Sequence, residues 1–294
     1  MTLTEDVPFD ARAIVNDFSA FCTLLLSYLQ SVAEDGWALR TGSRDKDWTL
    51  HQLLAHLTAI AAMFNRAVQA AIYDGPLVTD GLDTRRHLAT WNDTQIETRV
   101  RTAPAQLTQQ LMGELSTAAE RVQHLTPDEA MRTIYLGVYD DEVCVIDMLE
   151  WQLSHAGVIH AAQLTRPLDQ PPLWTQYSPG MLNRQVDRFM RHLSAAYWSE
   201  YGDVQDVEIN FQIEGEGGGA WFVIATPRGA RYGTGSRENP RYVLHFDSPD
   251  TLFGIFTVHI SIQDALTNNQ IRITGDPIAA MQLLRLFSPS PPKV

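Results

Sequence analysis

At 294 residues the chain is long enough for two hydrophobic cores, since single domains usually run to roughly 100–200 residues. A net charge of -13, with 22 Lys and Arg scattered against 35 Asp and Glu, repels phosphate backbones and argues against nucleic-acid binding. No run approaches the roughly 20 apolar residues of a membrane span, and two cysteines, Cys22 and Cys144, offer no disulfide framework.

The opening Met1-Thr-Leu-Thr-Glu-Asp6 is acidic and lacks the basic-then-apolar order of a signal peptide, and the two-cysteine content makes a reducing cytoplasm the expected location. From about Ala11 to Leu164 the pattern is helical. Ile14, Phe18, Phe21, Leu25, Tyr28 and Leu29 recur at three- and four-residue spacing, which predicts one long amphipathic helix. Thr49-Leu-His-Gln52 is a capping box, in which the Thr hydroxyl and the Gln amide satisfy first-turn N–H groups. The helix it opens runs through Leu53, Leu54, Leu57, Ile60 and Met63 and ends before Asp74-Gly75. Pro104 to Val122 is again amphipathic, and Thr126-Pro-Asp-Glu129 is a further helix start. Asp141 to Leu164 is apolar nearly all round, which predicts a central fourth helix of a bundle.

The composition then changes. Arg166-Pro-Leu-Asp-Gln-Pro-Pro172 breaks any helix, so residues 166–177 are expected to link a bundle of residues 1–165 to a second domain of residues 178–294. Ser178-Pro179 opens a helix to about Tyr201. Asp206 to Ile213 alternates polar and apolar residues, the mark of a half-buried strand. Further strands are expected at Trp221–Ala225, Ala230–Tyr232, Tyr242–Phe246 and Ile271–Thr274. Ser248-Pro249 and Asp276-Pro277 begin two more helices. A short Ser288-Pro-Ser-Pro-Pro292 stretch follows. The expected class is therefore α+β in two domains.

The chemistry-bearing residues are histidines on apolar helices. His56 lies between Leu53 and Ile60, where an imidazole is either a hydrogen-bonded core residue or a ligand, while His51 near the helix start is expected to be exposed. Glu150-Trp-Gln-Leu-Ser-His155-Ala-Gly-Val-Ile-His160-Ala-Ala-Gln-Leu164 puts two more on the most apolar helix. Several imidazoles buried without partners are costly, and neutral imidazole is the commonest metal ligand, so a shared ion is a natural partner. Three protein ligands with an open position is the pattern of a catalytic zinc site. Cys22 and Cys144 lack a basic neighbour in sequence and read as buried structural thiols. Gly215-Glu-Gly-Gly-Gly219 precedes a strand and has no Gly-Lys-Ser/Thr, so it is a turn and not a phosphate loop.

Trp48-Thr-Leu-His-Gln-Leu-Leu-Ala-His56-Leu resembles the second helix of the DinB-like bundle superfamily, and in particular the N-terminal domain of mycothiol-dependent maleylpyruvate isomerases. That resemblance implies a four-helix bundle binding a divalent metal, zinc or nickel, through one histidine at the position of His56 and a His/Glu-x-x-x-His pair from the fourth helix. His160 with its Ala-Ala-Gln-Leu tail resembles the closing ligand. The middle ligand departs from the pattern, because Ala156 stands four residues before His160 and Trp151 four before His155. Residues five apart on an ideal helix diverge by about 140°. A π-bulge between His155 and His160, eased by Gly157, would bring them together, and such bulges favour functional sites. The alternative is a degenerate site without metal.

Ile209-Asn-Phe-Gln-Ile-Glu-Gly215, Trp221-Phe-Val-Ile224, Ser248-Pro-Asp-Thr-Leu252 and Ile271-Arg-Ile-Thr-Gly275 together resemble a sterol-carrier-protein-2 domain over residues 178–287. That implies a five-stranded sheet with helices around an apolar cavity, which Phe211, Trp221, Leu252, Phe253, Ile255 and Phe256 would either line or simply fill as core. Two functions follow from the resemblances. One is a metal-dependent isomerase or transferase that uses a low-molecular-weight thiol such as mycothiol on a small electrophilic substrate. The other is a non-catalytic protein that binds a lipid or other apolar ligand beside a vestigial metal site.

Overall fold

A computed structural model of the chain describes residues 10–42, 47–201 and 206–287; the opening Met1–Asp6 and the Ser288–Pro292 stretch lie outside the described residues. Two compact units are present, Pro8–Thr175 and one built from Gln176–Val294. The class is α+β, with a helical bundle first and a five-stranded sheet second.

In the first unit, α1 (Ala11–Ser31) starts on Asp10, whose carboxylate accepts from the Ala13 N–H at 3.0 Å, and its apolar stripe is buried from Ile14 to Leu29. α2 (Leu50–Tyr73) opens with the expected capping box. The Gln52 N–H donates to Thr49 Oγ1 at 3.2 Å, and the Thr49 N–H donates to Gln52 Oε1 at 2.9 Å. α3 (Leu88–Arg99) is a helix that the apolar period does not announce, since only Trp91, Asn92 and Ile96 are buried along it. It packs on α2. α4 (Pro104–His124) carries proline in its first turn, and α5 (Pro127–Ala130) is the single turn begun by the Thr126 capping box.

Asp141 does not begin the fourth long helix. Thr133–Leu136 (β1) and Asp141–Cys144 (β2) instead form an antiparallel hairpin, with Thr133 opposite Cys144 and Leu136 opposite Asp141. Asp140 closes its turn in the left-handed region at φ 58°. Gly137 at the same turn has no room for a side chain, since a Cβ there would lie 2.3 Å from the Leu82 carbonyl oxygen. Val143 is buried while Asp141 and Glu142 are exposed, and a strand of four residues is too short to show an alternation that would break the helical pattern of the apolar run behind it.

The helix proper, α6, covers Val145–Ser154, is followed by one π-helical turn at His155–Ile159, and resumes as α7 (Ala161–Thr165). α1, α2, α4 and the α6–α7 run pack together as the bundle, with most of α2 and nearly all of α6 enclosed. The Tyr28 hydroxyl of α1 donates to the Leu164 carbonyl and fixes the end of α7. Residues 166–177 are folded into two short 3-10 turns, Arg166–Leu168 and Leu173–Gln176, with Leu173 and Trp174 buried.

In the second unit, α8 (Pro179–Ala195) starts on Ser178, stops short of the expected Tyr201 and is followed by a 3-10 turn at Ser199–Tyr201. The strands are β3 (Val207–Ile213), β4 (Gly219–Thr226), β5 (Gly229–Thr234), β6 (Tyr242–Phe246) and β7 (Ile271–Thr274). Their spatial order is β5-β4-β3-β6-β7, with β3 and β6 parallel and every other pair antiparallel. The register puts Ile209, Phe211 and Ile213 on one face with Trp221, Val223, Leu244 and Phe246, which gives the sheet its apolar side. α8 packs on β4 and β5, and Asp187 ties it there by accepting from Trp221 Nε1 at 3.1 Å while pairing with Arg191 at 3.0 Å. α9 (Pro249–Phe256) and α11 (Pro277–Leu284) begin at the expected Ser-Pro and Asp-Pro caps. α10 (Ile262–Thr267) has no such signal beyond Ser261. Among the described residues, no helix is long and apolar enough to cross a membrane.

Candidate metal centre

α2 and the α6–α7 run face each other in the bundle and supply the three histidines. His56 sits on the second turn of α2, on its buried side, where the Thr49 cap fixes where the helix begins and so which way the ring points. His155 opens the π turn and His160 closes it. The His160 N–H donates to the His155 carbonyl at 3.0 Å, an i to i+5 bond, and the Leu164 N–H returns to the α pattern by donating to the His160 carbonyl at 2.9 Å. Adding one residue to a turn offsets the divergence of a five-residue spacing, so both rings point the same way. Gly157 lies in the middle of that turn.

The three rings form a nearly regular triangle. Their centroids are 4.9 Å apart for His56 and His160, 5.2 Å for His56 and His155, and 4.6 Å for His155 and His160. One nitrogen of each lies within 4.8 Å of the others. His56 Nε2 and His160 Nε2 are 3.2 Å apart. The edge of a tetrahedron around an ion with metal–nitrogen bonds of about 2.0–2.1 Å is about 3.3 Å, so this pair already has the spacing that such an ion requires. His56 and His160 are buried and His155 is half-buried, which makes His155 the ring nearest solvent. The donor set, three neutral nitrogens with no carboxylate among them, suits zinc or nickel better than calcium or magnesium.

Burial pushes the His160 imidazolium down to about pH 4, against a smaller opposing effect of its bond to Gln163, so this ring is neutral at physiological pH. Its Nδ1 lies 2.6 Å from Gln163 Oε1. Trp48, directly before the α2 cap, lays its indole 4.8 Å from the His56 ring and 6.4 Å from the His160 ring and forms an aromatic wall. Neither Trp48 nor Gln163 stood out as a site residue in the sequence. The available signal was positional: Gln163 is three residues beyond His160, within reach on a helix, and Trp48 abuts the cap.

The other residues singled out in the sequence fall elsewhere. His51 is half-buried rather than exposed, because its Nε2 bonds the Thr102 carbonyl at 2.9 Å. Cys22 is half-buried, with burial pushing its thiol up to about 11, and Cys144 donates to Asp147 Oδ2 at 3.0 Å. In the second unit, Phe211, Trp221, Leu252 and Phe253 are enclosed, and Ile255 and Phe256 are half-buried on α9. Phe211 stacks on Phe246 at 6.4 Å, while Phe189 of α8 meets Phe253 at 5.7 Å and Phe256 at 5.4 Å.

Comparison with known proteins agrees with the bundle. Residues 18–153 match the family model described as the mycothiol maleylpyruvate isomerase N-terminal domain, a match that includes His56 and stops short of the π turn. No curated protein matches the sequence. The crystal structure of a mycothiol-dependent maleylpyruvate isomerase is similar over 83% of this chain and 88% of that one, at 10% identity and a TM-score of 0.50. A histidine-to-alanine mutant of that enzyme is similar over the same shares, at 10% identity and a TM-score of 0.53. At that identity the structures speak for the fold. The N-terminal part of this chain is thus similar in sequence to the mycothiol maleylpyruvate isomerase N-terminal domain over residues 18–153, and the chain shares the fold of that isomerase.

Proposed function

We propose that the protein is a metal-dependent enzyme of the maleylpyruvate isomerase type, with His56, His155 and His160 as the ligands of a divalent ion. The observation that carries this reading is the π turn. Without it, the five-residue spacing would point His155 and His160 apart, and with it three imidazoles meet in one place. His56, His155 and His160 would hold the ion, and the chemistry it would supply is to lower the pKa of a low-molecular-weight thiol such as mycothiol toward a thiolate at neutral pH. The chain's own part is to bind and to shield. Neutral His160 keeps a lone pair available, Trp48 covers two of the rings, and half-buried His155 leaves the approach through which thiol and substrate would enter. The substrate would be a small electrophile whose reacting carbon accepts a thiolate.

The sterol-carrier likeness of residues 178–287 is carried as part of the same proposal, the second unit being a substrate-binding domain. A purely ligand-binding protein with a vestigial histidine site is not favoured, since the histidines converge, while Phe253 and Phe256 pack against Phe189 and Phe211 stacks on Phe246 as core residues do. Elemental analysis of protein purified without a histidine tag tests the proposal. Near-stoichiometric zinc or nickel, lost in His56→Ala, is expected. Protein that stays metal-free after reconstitution would overturn it.

A further inference from the structure

We propose that Gln163 is a positioning residue that holds His160 in the Nδ1–H tautomer and so aims the Nε2 lone pair into the histidine cluster. The inference rests on the metal reading for its purpose but not for its geometry. A neutral imidazole carries one proton on two nitrogens, and which nitrogen bears it is set by the partner of the other. The Gln163 side-chain oxygen, 2.6 Å from His160 Nδ1, has no hydrogen to give, so Nδ1 must donate. Nε2 is then left as an acceptor.

The 3.2 Å contact between His160 Nε2 and His56 Nε2 agrees with this assignment. With no ion between them, two ring nitrogens approach so closely only if one donates and the other accepts. With the His160 proton committed to Gln163, His56 Nε2–H is the donor in the metal-free protein. An arriving ion would meet His160 already in its binding form, whereas His56 would have to move its proton to Nδ1. The two ligands are therefore unequal: His160 is set by its neighbour on α7, and His56 adjusts.

Groups that orient a ligating histidine typically account for about 10–100-fold in metal affinity. Three proteins separate positioning from mere packing: wild type, Gln163→Leu, which keeps the bulk but loses the acceptor, and Gln163→Glu, which keeps an acceptor. Zinc affinity is measured by competition with a chromophoric chelator, and the His160 tautomer by 15N NMR of the metal-free ring. Expected are an Nδ1–H signal for His160 in wild type and Gln163→Glu, and a move toward Nε2–H in Gln163→Leu. Zinc affinity in Gln163→Leu should fall about 10–100-fold and in Gln163→Glu should equal or exceed wild type. An Nε2–H signal in wild type, or a Gln163→Leu protein that keeps Nδ1–H, overturns the inference. If wild type shows the Nδ1–H signal, Gln163→Leu shifts it, and none of the proteins takes up zinc, the metal reading fails and the tautomer assignment stands.

Discussion

The same two antiparallel helices, α2 and α6, carry two buried polar contacts that behave differently. About two and a half turns along α2 from His56, Asn65 donates through Nδ2 to Glu114 Oε2 at 2.7 Å and accepts through Oδ1 from Gln152 Nε2 at 3.2 Å. Its backbone carbonyl accepts from Arg121 at 2.5 Å. Both Asn65 amide atoms find partners of the opposite kind within the bundle, where α6 is regular. At the other end the helix is interrupted by a π turn, and three like groups, all imidazoles, face one another. Burial of polar side chains alone does not mark a site. Convergence of like donors, secured by a backbone irregularity, does.

Breaking each contact should give opposite signatures. The largest effect is expected from His56→Ala, which removes a proposed ligand: metal content should fall to background, while chemical unfolding of the metal-free protein shifts little. Asn65→Leu should do the reverse. It leaves the Glu114 carboxylate and the Gln152 amide without their buried partner, so stability should fall by about 1–3 kcal/mol in urea titration while metal content is unchanged. Loss of metal in Asn65→Leu would mean that the two ends are not independent.

A pH experiment sharpens the comparison further. The folded-state pKa of His160 is lowered to about 4 from an ordinary 6.5, so between those values the unfolded chain takes up a proton that the folded chain refuses. Its contribution is therefore fully present above pH 6.5 and is lost as pH falls toward 4, by at most about 3 kcal/mol. Metal-free wild type should lose more stability over that window than His160→Gln, and equal slopes would contradict the burial argument. The smallest effect is expected in the second unit. Trp221→Phe removes one hydrogen bond to Asp187, which keeps Arg191, so the cost should be about 1 kcal/mol with no change in metal binding.

Much of this arrangement was legible in the sequence where local chemistry decides structure. The Thr49–Gln52 box, the Ser178, Ser248 and Asp276 caps, and the alternation of Val207–Ile213 each name their element because cap and period act over a few residues. α3 was missed because it buries only three residues and shows no apolar stripe, and the β1–β2 hairpin because Val143 joins smoothly to the apolar run of α6. Of the site, the three histidines were visible and so was the spacing conflict between two of them. Gln163 and Trp48 were not, since their role depends on which way the rings turn. The π turn is the step between these cases. A period of 3.6 residues exposes the conflict at His155 and His160, but only the backbone shows how it is resolved.

The central claim is that this turn makes three histidines share one ion, and X-ray absorption at the zinc edge of the reconstituted protein tests it most directly. The account predicts a first shell of nitrogen or oxygen at about 2.0–2.1 Å with the outer-shell scattering of three imidazoles, reduced to two in His155→Ala. A site with two imidazoles in wild type, unchanged by His155→Ala, would contradict it.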